Sequence, residues 1–383
     1  MTEHTPDGLP TPTRDQRAAT DALRPCHGVV RNQRGDWILL RHDLVVQAAL
    51  DDAGFSSAVS RYLQIPNGLD GDRHAAYRQA LDPFLDAAAL EPFLDDFRRI
   101  ATGLVASLPR GGSVDAVSNL GARFAVRAQS AWLGWPAELE DRLVDWVAEN
   151  HAATRSGDRD WTLRVAEDFD TLIHSVLDTR RDGQCPGGAR DVTSALMRTQ
   201  VEGRPLEDAE IVSVLRNWTG GDLGSIALCV GVLVHRLASD PALQQRLRAG
   251  VAEAEFDALI DEILRIDNPF LSNRRITTRP LTIGGVDLPA AARVTLHWTS
   301  ANRDSAVFGD PDALDPQANR AHNLVYGIGR HACPGRLLST LELRIVLRAL
   351  LDATASVTLD PDDPAERAMS PAGGWSRVPV ILR

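Results

Sequence analysis

Asn323–Arg348, NLVYGIGRHACPGRLLSTLELRIVLR, is the stretch whose reading decides the fold. Gly327 and Gly329 punctuate a loop that runs into Cys333, Pro334 and Gly335. Leu337, Leu338, Leu341 and Ile345 then recur at helical spacing, so a helix is expected just after Cys333. Pro334 suits its first position, where a missing N–H costs nothing. That geometry puts Cys333 at a helix N-terminus, where the dipole and free N–H groups favour a thiolate. Arg330, His331 and Arg336 add positive charge, so the residue reads as a metal ligand or a nucleophile. The glycines let backbone approach something flat and bulky, with Tyr326 placed to pack against it. A nucleophile would need a general base within hydrogen-bond reach. His331 shares the face of Cys333 on an extended chain but sits roughly 6.5 Å along it, which favours the ligand. A buried cysteine in an ordinary turn is the remaining reading.

The chain has 383 residues, enough for one large or two ordinary domains, and a globular composition. Only the first dozen residues, MTEHTPDGLPTP, are expected to be disordered. There is no secretory signal, and the longest apolar run, Ile226–Val234, is short for a membrane span. Four scattered cysteines (Cys26, Cys185, Cys229, Cys333) form no zinc-like pairs and suit a reducing cytoplasm. A net charge of −11 argues against broad affinity for nucleic acid. Helical periodicity dominates. Helices are expected at Arg14–Leu23, Asp43–Leu50, Asp72–Leu85, Leu90–Leu108, Asn119–Leu133, Glu138–Thr154 and Thr162–Arg180, and from Val192 and Glu207 onward. A strand is expected at Asp36–Leu40, a Ser- and Gly-rich loop at Phe55–Gly71, and a further loop at Asp182–Gly188. From Arg274 to Trp298 the period shifts toward two, with a hairpin turn at Ile283–Asp287. The fold class is mainly α with a small β portion.

Tyr326–Gly335, YGIGRHACPG, resembles the cysteine-ligand loop of the haem-thiolate monooxygenases, the cytochromes P450, whose pattern is Phe-Gly-x-Gly-x-His-x-Cys-x-Gly. Gly327, Gly329, His331, Cys333 and Gly335 match; Tyr326 departs from the usual Phe but keeps the ring. The resemblance implies haem b with Cys333 as the iron ligand and Tyr326, Gly327 and Gly335 around it. It also implies the P450 fold, a triangular prism with haem between a long central helix and the cysteine loop and its helix. Residues 13–383 would form one haem domain without a fused reductase.

Further residues extend the resemblance over nearly the whole chain from about Asp36. Glu262 and Arg265 match the family's Glu-x-x-Arg pair, buried with a third partner near the cysteine loop; Arg320 is the expected third member. His74 and Arg78 match a His-x-x-x-Arg pair that holds haem propionates, joined by Arg275 and His331. The helix from Glu207 contains Trp218-Thr219-Gly220-Gly221-Asp222-Leu223-Gly224-Ser225, where three close glycines suggest a local opening or a close approach by a ligand. Members of the family carry an acid followed by Thr there for proton delivery. Ser225 falls at the alcohol position, Gly224 where the acid belongs, and Asp222 one turn earlier. The relay is therefore rearranged through Asp222 and water, or weakened; otherwise Asp222 bonds a neighbouring helix. The substrate pocket is expected from Ala58–Gly68, Asn217–Ser225, Phe270–Asn273 and Gly373–Trp375, with Trp218, Gly221, Phe270, Leu271 and Trp375 as named contacts.

By resemblance, the protein would insert one oxygen atom from O2 into a small apolar organic substrate. Electrons would come from NAD(P)H through separate proteins. Arg330, Arg336, Arg344 and Arg348 read as a basic patch that would steer an acidic ferredoxin or a flavodoxin-type donor. Two alternatives stand beside this: a peroxide-driven or non-hydroxylating haem-thiolate oxidase, and a non-catalytic haem protein that binds a ligand. No nucleic acid and no membrane are expected as partners.

Overall fold

The computed structural model describes residues 15–156, 158–182 and 191–383. The expected disordered tail, and all of the Asp182–Gly188 loop beyond Asp182, lie outside these residues.

The molecule is built on one helix, Asp208–Ser239, roughly 48 Å long at 1.5 Å per residue. It starts with a reciprocal capping box: the Glu207 side chain accepts from the N3 backbone, and the backbone N–H of Glu207 donates to Glu210 at 2.8 Å. Burial runs along its whole length, from Ile211 to Leu237, because other helices cover it on several sides. Length and composition alone would let it cross a membrane, yet 67% of its most apolar window is buried inside the protein. A π-helical run, Ala116–Ala122, crosses it and leads into the helix Arg123–Leu133, so the α-helix expected from Asn119 begins four residues late. The crossing is close at Gly121, where a Cβ would lie 2.8 Å from the carbonyl oxygen of Ala227.

The helix Arg336–Asp352 lies against the central helix. Gly335 is its N-cap, so Pro334 precedes the helix and does not occupy its first position. Ahead of it the chain is turned by Gly327 and Gly329, both with positive φ, and closed by the Cys333 N–H, which donates to the Tyr326 carbonyl at 2.8 Å.

The β portion is small, as its short period-two segments imply. Val29–Arg31, Trp37–Leu39, Arg293–Leu296, Asn273–Thr277 and Phe55–Ser56 form a five-stranded sheet in that spatial order. Only the Trp37–Leu39 and Arg293–Leu296 pair is parallel. Leu281–Ile283 and Val286–Leu288 form a hairpin across Gly284 and Gly285, whose φ values of 56° and 77° are those a tight two-residue turn requires. The segment after Phe55–Ser56 contains no helix before Gly71 and is tied to the central helix. Ile65 N donates to Ser213 Oγ at 2.8 Å, Ser213 Oγ to the Leu63 carbonyl at 3.0 Å, and Asn217 Nδ2 to the Ile65 carbonyl at 2.8 Å.

Candidate active site

A cavity of about 570 Å³ lies between the central helix and the cysteine loop. Gly220, Gly221, Gly224 and Ser225 bring one helical stripe to its wall, and two turns without side chains open the space beside it. Tyr326, Gly327, His331 and Cys333 come from the loop, and His74 and Arg78 from the helix Gly71–Leu81. Arg275 enters from the sheet, and Phe270 and Leu271 from the segment before it.

Four of these side chains form a cradle of two guanidiniums and two imidazoles. His74 is 2% exposed, and its ring centroid lies 4.1 Å from that of His331. His331 Nε2 is 3.0 Å from Ser57 Oγ. Arg78 donates to the carbonyls of Arg330 at 2.9 Å and Ala332 at 3.1 Å, which ties its helix to the cysteine loop, and to Asp82 at 2.6 Å. Arg275 is 8% exposed, donates to the carbonyl of Arg274, and has no ion pair among the described residues. Burial holds Arg275 and His74 below their ordinary values and pushes His331 down to about 4. A buried guanidinium without a counter-charge is costly unless an anion completes it. A cradle of two guanidiniums and two imidazole donors, opening onto a cavity that a cysteine also lines, fits a flat group carrying two carboxylates.

Cys333 is exposed to the cavity, with the surrounding protein packed closely around its thiol. Burial raises its thiol, the Gly335 N–H bond, Arg78 and Arg336 pull it down, and Asp222 opposes them. The helix that was to favour the thiolate begins three residues later, so its dipole acts from further away. A coordinating metal deprotonates such a thiol outright. Tyr326 packs under Arg336, whose guanidinium carbon is 5.2 Å from the ring centroid.

The Glu262–Arg265 pair is fully interior, with N–O distances of 2.8 Å. Its third partner is Asn319, whose Nδ2 donates to Glu262 at 2.7 Å, and not Arg320, which is exposed. Asp315 caps the short turn Pro316–Asn319, and the turn presents Asn319 inward and its neighbour outward. Two expected pocket residues face elsewhere. Trp218 packs on Trp132 and Phe84 in the core. Trp375 stacks on His235 at 3.9 Å under Arg367, and Ala368, Met369, Pro371, Ala372 and Ser376 line the cavity in its place. Asp222 is not on the cavity wall, although Ser225 is. The basic face is largely compensated: Arg330 pairs with Asp52 at 2.7 Å, Arg336 with Asp261 at 2.6 Å, and Arg344 with Asp257 at 2.8 Å and Glu253 at 3.2 Å. Sequence reasoning missed Asn319 and Ser57. It also missed Asn150, which lines the cavity from the helix Glu140–Ser156 with no local motif to flag it.

The arrangement has close relatives. The cytochrome P450 family model matches residues 156–373, more than half of the chain. Cyclomarin C epoxidase of Salinispora arenicola is 30% identical over 82% of this chain and 82% of its own length. Erythromycin C-12 hydroxylase of Saccharopolyspora erythraea is 27% identical over 91% of this chain and 90% of its own. Among solved structures, cytochrome P450 TbtJ1 superposes with a TM-score of 0.87 at 25% identity, covering 98% of this chain and 100% of that one. The open form of EryK from S. erythraea gives 0.86 at 24% identity, covering 99% and 98%. The chain belongs to the cytochrome P450 family, oxidoreductases of the monooxygenase class that bind haem b.

Proposed function

We propose that this protein inserts one oxygen atom from O2 into a small apolar organic substrate, with electrons delivered from NAD(P)H by a separate ferredoxin or flavodoxin-type protein. The observation that carries the reading is the conjunction, on one cavity, of Cys333, the cradle of His74, Arg78, Arg275 and His331 with its unpaired Arg275 guanidinium, and the glycine stripe of the central helix. Haem bound there would supply thiolate-ligated iron, the chemistry that favours O–O cleavage. His74, Arg78, Arg275 and His331 would hold its carboxylates. Gly220, Gly221 and Gly224 leave room against the helix for O2 and substrate. Ser225 holds a hydroxyl on the same wall, able to donate or accept a proton there. Phe270 and Leu271 form an apolar wall that favours a hydrophobic substrate. Two relatives are named for an epoxidation and a hydroxylation of natural products, and we extend that reaction class, without a substrate name, to this chain.

The electron donor is proposed to approach the cysteine-loop face near Arg330, Arg336 and Arg344. Their carboxylate partners reduce the net field, so steering should depend only weakly on salt. The burial of the central helix inside the protein supports a soluble molecule, and the scattered cysteines of the chain suit a reducing cytoplasm. A peroxide-driven reaction is the second reading, favoured by a wall beside Ser225 that carries no acid among the described residues.

The test is the reduced, carbon-monoxide-bound absorption spectrum beside a Cys333→Ala variant, followed by turnover with surrogate redox partners. A strongly red-shifted Soret band lost in the variant, with substrate-dependent NADH consumption, is expected. A histidine-like band would overturn the site assignment, and oxygenation only with peroxide would transfer it to the second reading.

A further inference from the structure

The neutral polar side chains around the cavity divide into those the fold uses and those it leaves unused. Asn273 Oδ1 accepts from Trp298 Nε1 at 2.6 Å, and Ser376 Oγ lies 3.3 and 3.4 Å from the carbonyls of Glu366 and Arg367. The carboxamide of Asn150 makes no hydrogen bond among the described residues, yet it lines the cavity from a half-buried position. Asn67 and Ser272 are also uncommitted, but both are exposed, so solvent serves them. Outside the cradle, no Asp, Glu, Lys or Arg lines the cavity among the described residues.

Nothing in the helix Glu140–Ser156 requires asparagine at this place. Inside a helix it is a weaker former than Ala, Leu or Glu, because its side chain competes for nearby backbone groups. The helix around it is held firmly. Trp146, one turn earlier, stacks on Phe169 with ring centroids 4.0 Å apart and donates to the Val165 carbonyl at 2.9 Å. Glu149 accepts from Trp161 Nε1 at 2.9 Å. A Cβ on Gly220 would lie 3.8 Å from Trp146, whereas one on Gly221 would meet nothing within 4 Å. Asn150 is therefore carried by a fixed element to the edge of the space that the glycines open. An uncommitted amide there is satisfied by water until a ligand displaces it. The ligand then either supplies the hydrogen bonds or leaves the amide unpaired.

We propose that Asn150 is a specificity-determining residue, selecting substrates that join an apolar body to one neutral carbonyl or amide group. Its Nδ2 donates to the carbonyl oxygen, and its Oδ1 accepts from an amide N–H where the substrate has one. Phe270 and Leu271 take the apolar body. A carboxylate or ammonium on the substrate would lose its water with no counter-charge outside the cradle to replace it, so the recognised group is uncharged. Calling the ligand a substrate rests on the oxygenation reading, whose substrate class this narrows; the hydrogen-bonding preference itself needs no turnover.

Isothermal titration calorimetry of the haem-loaded protein tests this with two probes, laurolactam and cyclododecane, an amide ring and a hydrocarbon ring of similar size. The wild type should bind the lactam. In Asn150→Leu, close to asparagine in shape, affinity for the lactam should fall about tenfold while affinity for cyclododecane holds or tightens. Asn150→Ala, which adds space in place of an apolar filling, should show the same selective loss and decides the matter should the leucine variant not fold. No lactam binding by the wild type, or lactam affinity unchanged in the variants, would overturn the proposal. Equal losses for both probes would also overturn it, since they mark a packing role. Calorimetry needs neither reductant nor O2. Failure of the oxygenation reading in turnover experiments would therefore leave the binding result standing, and the two failures stay distinguishable.

Discussion

Replacing Glu262 by Ala separates the observed charge network from the one its sequence suggests. The carboxylate accepts from Arg265 Nε and Nη2 at 2.8 Å each, from Asn319 Nδ2 at 2.7 Å and from Asp315 N at 3.1 Å. The remaining bonds of Arg265 go to the neutral carbonyls of Asn302, Pro311 and Ala313. Without Glu262 the guanidinium, 0% exposed, keeps those three bonds but loses its only ion pair among the described residues. Removing one partner of a buried pair costs about 3–5 kcal/mol. Asn319→Ala removes one bond to a charged acceptor and should cost about 1.5–3 kcal/mol. Arg320→Ala should stay within about 0.5 kcal/mol, since the side chain is exposed. Denaturant unfolding followed by tryptophan fluorescence measures all three on the apoprotein. A Glu262→Ala loss below about 1 kcal/mol, or equal losses for Asn319→Ala and Arg320→Ala, would refute the assignment.

Other expectations follow from single sites. Burial pushes His297 down to about 4 from 6.5, and its Nδ1 accepts from Ser300 N, so the folded state needs the neutral ring. The unfolded chain takes up the proton first as pH falls, so this stability is present above pH 6.5 and lost toward pH 4, about 3 kcal/mol in all; His297→Asn should flatten that part of the stability profile. Gly121→Ala drives a methyl against the Ala227 backbone and should cost about 1–3 kcal/mol in unfolding experiments. Arg275→Ala should weaken haem uptake in titrations of apoprotein by about 10–100-fold while leaving apoprotein stability level or higher, because an uncompensated buried cation is removed. Electron transfer from an acidic donor should slow less than tenfold between low and physiological salt in stopped-flow mixing, given the internal pairs at Arg330, Arg336 and Arg344.

What was legible in the chain was what its physics keeps local. The cysteine loop could be read because its turns need glycine at positive φ within a few residues of Cys333, and the Gly284–Gly285 hairpin for the same reason. His74 and Arg78 could be paired because four residues on a helix share a face, and Glu262 and Arg265 because three do. Legibility failed wherever the outcome depended on what stands opposite. Trp218 shares its azimuth with Ser225, seven residues on, but meets Trp132 and Phe84 at its own level instead of the cavity. Arg320 and Asn319 differ by one position in a short turn whose rotation only the Asp315 cap defines. The arginines of the cysteine-loop face read as a free positive patch because their carboxylates, at Asp52, Asp257 and Asp261, are remote in sequence. Glu342 carries the argument furthest. Between Leu341 and Leu343 it reads as the polar member of an ordinary amphipathic helix, yet the bundle buries it completely. A helix whose one face meets the central helix and whose flanks meet others has no solvated side at that level. A carboxyl kept there without a hydrogen-bond partner is pushed well above the usual carboxylate range, by burial first and then by the charge of Asp222.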